Sequence, residues 1–273
     1  MTNEYILECK NLVKTFETNS GTVKATDNVT LKLKRGECYG LVGESGCGKS
    51  TLSSLLSLLK QPDSGKMFFD GKEIFNGNKT ISNSKIKQFR RHFQIIFQDP
   101  YSSLNPKMKI ESILEEPLII HKIGKSKEER KRLVNEIRML TGLPLNVLEK
   151  YPSELSGGQR QRVAIASAMI LKPDFVICDE CVSSLDVLIQ AQILNLLKSM
   201  QESMNLTYLF ISHNLNVVAY MADRIGVMYK GKIVEENTTS TLLKNPEHPY
   251  TKKLLLASGL LQEQDMDQAM KPL

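Results

Sequence analysis

The sequence predicts an α/β fold: a parallel sheet, preceded by an antiparallel β subdomain and interrupted by a helical insert. Three observations predict it. Short apolar strands alternate with helices from Phe175 onward, which argues for parallel strands joined by crossover helices. The first third reads as strands and turns instead, and between Ile110 and about Glu149 the apolar spacing becomes wholly helical.

Taken in order, Tyr5 to Glu8 reads as a strand, and Val29, Leu31 and Leu33 alternate with polar residues as one face of another. Glu37 to Val42 leads into a glycine-rich loop. Leu52, Leu55, Leu56 and Leu59 then recur at helical spacing over Ser50 to Leu59, and Pro62-Asp63-Ser64-Gly65 stops that helix. Lys66 to Phe75 forms a hairpin turning at Asp70-Gly71, and Phe93 to Phe97 is a short apolar strand ending at Gln98-Asp99-Pro100. The insert shows Ile113, Leu114, Pro117 and Leu118 in one segment and Leu133, Ile137 and Leu140 in the next. After Gly157-Gly158 a helix runs to about Leu171. Strand and helix then alternate over Phe175 to Cys178, Val187 to Met200, Leu206 to Ile211 and Asn214 to Ala222. A hairpin from Ile225 to Glu235, turning at Lys230-Gly231, precedes a short helical tail.

The 273 residues are 41% apolar and 24% charged, the composition of a globular protein with a sizeable core. No stretch approaches the roughly 18 to 20 apolar residues needed to span a bilayer, and the first residues do not read as a signal peptide, so a cytosolic chain is expected. The net charge of +6 is scattered rather than gathered into a nucleic-acid patch. The basic run Lys125 to Arg132, with Glu128 and Glu129 inside it, reads as a solvated helix face. The five cysteines read as thiols: Cys178 and Cys181 form a CxxC, but no second pair or His cluster accompanies it.

Gly43-Glu44-Ser45-Gly46-Cys47-Gly48-Lys49-Ser50, followed by Thr51, fits G-x-x-x-x-G-K-[ST] between a predicted strand and a predicted helix. Glycines at these places let successive N–H groups face phosphates, the helix adds its positive end, and Lys49 places a charge by the β and γ phosphates. Ser50 would offer its hydroxyl to Mg²⁺. The ligand implied is Mg-ATP. Such a loop requires a metal-holding carboxylate, and Phe175 to Glu180 supplies two acids at the end of a buried-type strand. Asp179 would hold Mg²⁺ through its water shell, and Glu180 would serve as general base for the attacking water.

Leu155-Ser156-Gly157-Gly158-Gln159 opens a long predicted helix, offering free N–H groups and a positive dipole end to an anion. On its residues alone the segment reads better as a plain helix cap. It also matches the LSGGQ signature of the ATP-binding cassette (ABC) ATPases, and the phosphate loop, Gln98, the signature, Asp179-Glu180, Ser183-Ser184-Leu185-Asp186 and His213 fall in that family's order. The chain resembles that family over residues 5 to 257. The resemblance implies a RecA-like P-loop NTPase core, with a cassette over residues 1–246, a helical subdomain at about 101–156, and a C-terminal helical tail over 247–273. It implies that two cassettes pack head to tail, the signature residues Ser156, Gly157, Gly158 and Gln159 serving the partner's ATP. Gln98 resembles the glutamine that contacts Mg²⁺ and the attacking water, and His213 the switch histidine on the γ-phosphate. Asp186 resembles the aspartate of the crossing loop, and Phe16 the aromatic that stacks on adenine. Two positions depart from the family's habit: Asn214 stands where aspartate often follows the histidine, and Ser184 where alanine is usual.

Within the family, Phe97 to Pro106 and Asn245-Pro246-Glu247-His248-Pro249-Tyr250-Thr251 resemble the ATPase subunits of bacterial peptide and nickel importers. The implied partners are a second ATPase subunit, identical or not, transmembrane permease subunits that seat a short helix in the insert, and indirectly an extracytoplasmic binding protein. The implied place is the cytoplasmic face of the membrane. No cysteine follows Cys181, so no iron–sulfur cluster is expected. Nickel or metal-chelate import is the alternative cargo class. A cassette acting on nucleic acid or ribosomes is the more remote rival, disfavoured by a single cassette with a compact insert.

Overall fold

The computed structural model describes residues 3–18, 21–77 and 83–261, which leaves the end of the expected tail, 262–273, outside the described residues. The chain divides into two compact units, Met1–Ile81 with Thr207–Leu273 and Ser82–Leu206.

The first unit opens with β1 (Tyr5–Thr18) and β2 (Gly21–Lys34), antiparallel with Leu7 opposite Leu33 and Cys9 opposite Leu31. The first strand runs ten residues further than the Tyr5 to Glu8 pattern suggests. Asn11 takes a left-handed φ of 52°, and the register shifts between Cys9 and Leu12, so the bulge breaks the alternation that sequence reading follows. Next come β3 (Cys38–Val42), α1 (Lys49–Leu56), β4 (Ser64–Phe69) and β5 (Lys72–Asn76). One sheet has the order β2-β1-β4-β5, with Leu7, Cys9, Leu31, Leu33, Met67 and Phe69 buried. The α1 helix stops before Leu59 because Leu58 turns left-handed at φ 58°.

The second unit contains α2 (Asn83–His92), β6 (Phe93–Ile96), α3 (Pro100–Ser103), α4 (Ile110–Ile120), α5 (Lys127–Leu140), α6 (Gly157–Met169), β7 (Phe175–Asp179) and α7 (Val187–Met204). The polar α2, with only Ile86 and Phe89 as apolar residues, gives too little periodicity to be read from sequence. Strands β6 and β7 are parallel, and Phe93 meets Phe175 edge-on with ring centroids 5.7 Å apart. Ile110, Leu114, Leu118, Val134, Ile137, Val147 and Val163 are among the buried apolar residues of this unit. Ser126 caps α5 by accepting the Glu129 N–H at 3.1 Å. The basic run is only partly a solvated face, since Arg130 pairs with Glu115 at 2.8 Å and both side chains are largely covered.

The chain returns to the first unit with β8 (Thr207–Ile211), α8 (Leu215–Met221), β9 (Arg224–Tyr229), β10 (Lys232–Thr238), α9 (Thr239–Lys244) and α10 (Pro249–Ala257). Here β3 lies parallel between β8 and β9, and β10 closes antiparallel on β9. Every residue of β3 and β8 is buried, which explains their uninterrupted apolar runs. Gly40 lets α8 sit directly on β3: a Cβ there would lie 2.2 Å from Val218 Cγ1. Among the described residues no helix is long and apolar enough to cross a membrane. All five cysteines are buried thiols rather than disulfides.

Candidate functional site

In the first unit, the loop from Gly43 joins the buried strand β3 to α1. Gly43 has φ 153°, and a Cβ on it would fall 2.2 Å from the Met228 carbonyl oxygen. Gly48 has φ 114°, and its Cβ would fall 2.0 Å from that of Ala25. Both positions press backbone on backbone and turn in a region that L side chains avoid. At Gly46, φ 80°, nothing lies within 4 Å, so the loop is backed by protein at its two ends and open between them.

Lys49 is buried, 6% exposed. Its Nζ donates to the carbonyls of Gly43 at 2.7 Å and Glu44 at 2.9 Å. The third N–H of the ammonium faces only the Cys47 sulfur at 3.8 Å, a weak acceptor that an anion would outcompete. Gly48 N-caps α1 without a side-chain cap, so the first N–H groups of the helix are not taken by a capping side chain. Glu44, Ser45, Gly46 and Ser50 are exposed, and Thr51 is half-buried. Free amides, a buried cation and an exposed hydroxyl suit a phosphate chain with its metal.

His213 is exposed just after β8, and its neighbour Asn214 caps α8. The Asn214 Oδ1 accepts the N–H of Asn216 at 3.0 Å and of Val217 at 3.4 Å. Aspartate and asparagine cap equally well, so this departure from the family's habit preserves the turn that carries His213. Phe16 is half-exposed on β1, with the ammonium groups of Lys60 and Lys14 over its ring at 5.1 and 5.8 Å.

In the second unit, Gln98 is exposed after β6, immediately before Asp99, whose Oδ1 accepts the Tyr101 N–H at 2.9 Å and caps α3. Asp179 ends β7 half-buried. Glu180, also half-buried, takes a left-handed φ of 50°, and its carbonyl accepts both the N–H and the Oγ–H of Ser183. A non-glycine residue in that region is uncommon and costs about 1 kcal/mol or more, a strain that concentrates at functional positions. Carboxylate and amide oxygens at these positions are the hard donors that Mg²⁺ takes as ligands.

The signature segment caps α6. Ser156 Oγ accepts the Gln159 N–H, and Gln159 Oε1 accepts the Ser156 N–H, a capping box. Gly158 is needed for packing, since a Cβ there would lie 2.7 Å from Ile189 Cγ2, whereas one on Gly157 would reach only Leu185 at 4.0 Å. Asp186 caps α7 by accepting the Ile189 N–H at 3.0 Å, and Val187 and Leu188 beside it are 79% and 77% exposed.

Sequence reading missed the contribution of the C-terminal segment to the loop: the Tyr250 hydroxyl accepts the Glu44 N–H at 2.8 Å. The only signal was the presence of Tyr250 in the distinctive stretch 245–251.

A glycine-cradled loop around a buried lysine, leading from a parallel strand into a helix, defines a P-loop nucleotide-binding protein. A family profile described as ABC transporter matches residues 26–183, more than half of the chain, which belongs to that family. The chain is 49% identical over 257 residues to the oligopeptide transport ATP-binding protein OppF of Bacillus subtilis (strain 168), covering 94% of this chain and 83% of the relative. It is 47% identical to the dipeptide transport ATP-binding protein DppF of Haemophilus influenzae, covering 88% and 72%. Among solved structures, the dimeric post-hydrolysis state of the cassette MJ0796 bound to ADP and Pi aligns with a TM-score of 0.75 at 29% identity, covering 85% of this chain and 98% of that one. The cbiO1 cassette from Clostridium perfringens aligns at 0.77 and 26% identity, covering 98% and 99%. The fold class and the ABC ATPase family expected from the sequence are both borne out.

Proposed function

We propose that the chain is the ATP-hydrolysing subunit of a bacterial importer for oligopeptides or dipeptides, working at the cytoplasmic face of the membrane. The observation that carries the reading is the 49% identity to an oligopeptide transport ATP-binding protein across 94% of a chain with an intact phosphate loop. The dimeric cassette among the structural neighbours supports pairing with a second ATPase subunit. Permease subunits, and through them an extracytoplasmic binding protein, complete the assembly.

In this mechanism the amides of the Gly43 to Thr51 loop other than that of Glu44, with the Lys49 ammonium, hold the β and γ phosphates, and Phe16 stacks on adenine. Ser50, Asp179 and Gln98 would hold Mg²⁺, which when bound neutralises charge developing on the phosphates. The Glu180 carboxylate takes a proton from the attacking water, and His213 donates a hydrogen bond to the γ-phosphate oxygens. Ser156, Gly157, Gly158 and Gln159 present their helix N-terminus to the nucleotide of the partner cassette, and Asp186 lies in the loop that crosses to it.

The assembled importer tests this. Glu180→Gln should retain ATP binding and cassette pairing while hydrolysis falls by about a hundredfold or more, the span of a lost general base. Near-normal turnover would remove Glu180 from that role. Deleting the gene should abolish growth on peptides as sole amino-acid source; unimpaired growth, with loss of nickel uptake instead, would overturn the peptide assignment.

A further inference from the structure

The phosphate loop has a support that lies outside every motif assigned to ATP. The Glu44 N–H, belonging to the first variable residue of the loop, donates to the Tyr250 hydroxyl at 2.8 Å. Tyr250 is 8% exposed, and its ring lies against that of Tyr229 with centroids 4.2 Å apart and planes inclined by 30°. Burial raises the phenol pKa above its ordinary value, so the group stays a neutral hydroxyl with lone pairs to accept an amide proton.

The segment carrying Tyr250 is itself fixed. Both carboxylate oxygens of Glu235 are engaged, one accepting the Glu247 N–H at 2.8 Å and the other the His248 N–H at 2.9 Å. The His248 Nδ1 accepts the Tyr250 N–H at 3.1 Å and starts α10. A continuous chain of hydrogen bonds therefore runs from β10 through residues 247–250 to the loop. A second tie from the same hairpin reaches the loop's far side, where the Gly231 N–H donates to the Cys47 carbonyl at 2.9 Å.

We infer that Tyr250 is a positioning residue for ATP: through its hydroxyl, the C-terminal segment held by Glu235 fixes the Glu44 end of the phosphate loop in the conformation that receives phosphate. The inference rests on the reading that this loop binds ATP. A loop whose amides converge before ligand arrives need not be ordered during binding, and removing one of its two ties shifts that ordering onto the nucleotide. The effect falls on affinity, since Tyr250 does not touch the reacting atoms.

The test uses the full chain with Tyr250→Phe, which keeps the ring against Tyr229 and deletes only the acceptor. Amide hydrogen exchange of the peptide spanning residues 43–51, without nucleotide, reads the tie independently of ATP; it should speed up by about three- to tenfold, the span of one hydrogen bond. In the assembled importer, KM for ATP should rise by about the same factor while kcat stays within about twofold. Glu235→Gln, which can accept only one of the two N–H groups, should act in the same direction, and the double variant should add little to either single one. Unchanged exchange in Tyr250→Phe would overturn the tie. Faster exchange with unchanged KM, or a fall in kcat alone, would overturn the positioning role. A wild-type chain that binds no ATP would defeat the underlying reading, and with it the positioning role, while hydrogen exchange still decides the tie.

Discussion

Ser156 and Gln159 hold each other: the Gln159 N–H donates to Ser156 Oγ at 3.2 Å, and the Ser156 N–H donates to Gln159 Oε1 at 3.1 Å. The signature is thus a helix cap in its own right, as its residues alone suggest, and the proposed phosphate role asks the same helix end to present its positive dipole end as well. The two roles separate by substitution. Ser156→Asp keeps a good N-cap but sets a negative charge where the partner's phosphate would sit. Its melting temperature should match the wild type while ATPase activity of the paired cassettes falls at least about tenfold, an electrostatic loss of roughly 1.4 kcal/mol or more. Ser156→Ala should instead lower stability by about 1 kcal/mol. Equal activity in Ser156→Asp and the wild type would leave the segment a cap and nothing more.

Lys49 binds its own loop before it binds anything else. Replacing it with alanine removes the donor to the Gly43 and Glu44 carbonyls as well as the charge for phosphate. Lys49→Ala should therefore lose both nucleotide binding and about 1–3 kcal/mol of stability, measurable by denaturant titration without ATP. Lys49→Arg should not restore binding, because a planar fork cannot reproduce a point ammonium in that space.

Asn214 gives a graded test of His213. Asn214→Asp should leave stability and turnover near wild type. Asn214→Ala should cost about 1 kcal/mol through the lost cap on α8 and reduce kcat by loosening the turn that carries His213. Melting curves and steady-state ATPase rates would distinguish the pair; equal kcat in both variants would detach the cap from the histidine's role.

Burial pushes the Cys9 thiol up to about 12 from its ordinary 9.0. Between these values the native thiol keeps a proton that the unfolded thiol loses, so native stability contributed by this group is intact below pH 9 and declines as pH rises toward 12. Cys9→Ala should flatten that alkaline decline in a pH series of urea midpoints. With all five cysteines buried, a thiol reagent at pH 8 should react only as the chain unfolds.

Arg224 lies between Glu37 and Glu236, with its guanidinium 5.3 Å from the centre of the Tyr39 ring, and the Tyr39 hydroxyl donates to Glu236 at 2.8 Å. Removing one partner strands the others under partial cover, so Arg224→Leu should destabilise the chain by about 2–4 kcal/mol. A shift below about 0.5 kcal/mol in a denaturant titration would show that these charges are already solvated.

What could be read from the sequence was what is contiguous. The strand, loop and helix around Gly43 to Ser50 follow one another along the chain, and so do Phe175 to Glu180 and the cap at Ser156. The bulge at Asn11 hid the length of β1 because it interrupts the period-two pattern, and the polar α2 has almost no apolar face to reveal it. Contacts between distant parts left no local trace. Nothing near residue 40 announces that Val218 needs a glycine there, and nothing near residue 250 announces that its hydroxyl answers the Glu44 amide. Gly43 and Gly48 give the loop its conformational freedom, and each also leaves room for a distant carbonyl.

The tie between Glu44 and Tyr250 spans 206 residues of chain. On a ribosome adding about 5–20 residues per second, the loop emerges some 10–40 s before the tyrosine that steadies it. A nascent chain thus displays its phosphate loop well before the tyrosine that steadies it has been made, and during that interval the loop has only its other contacts to hold its shape.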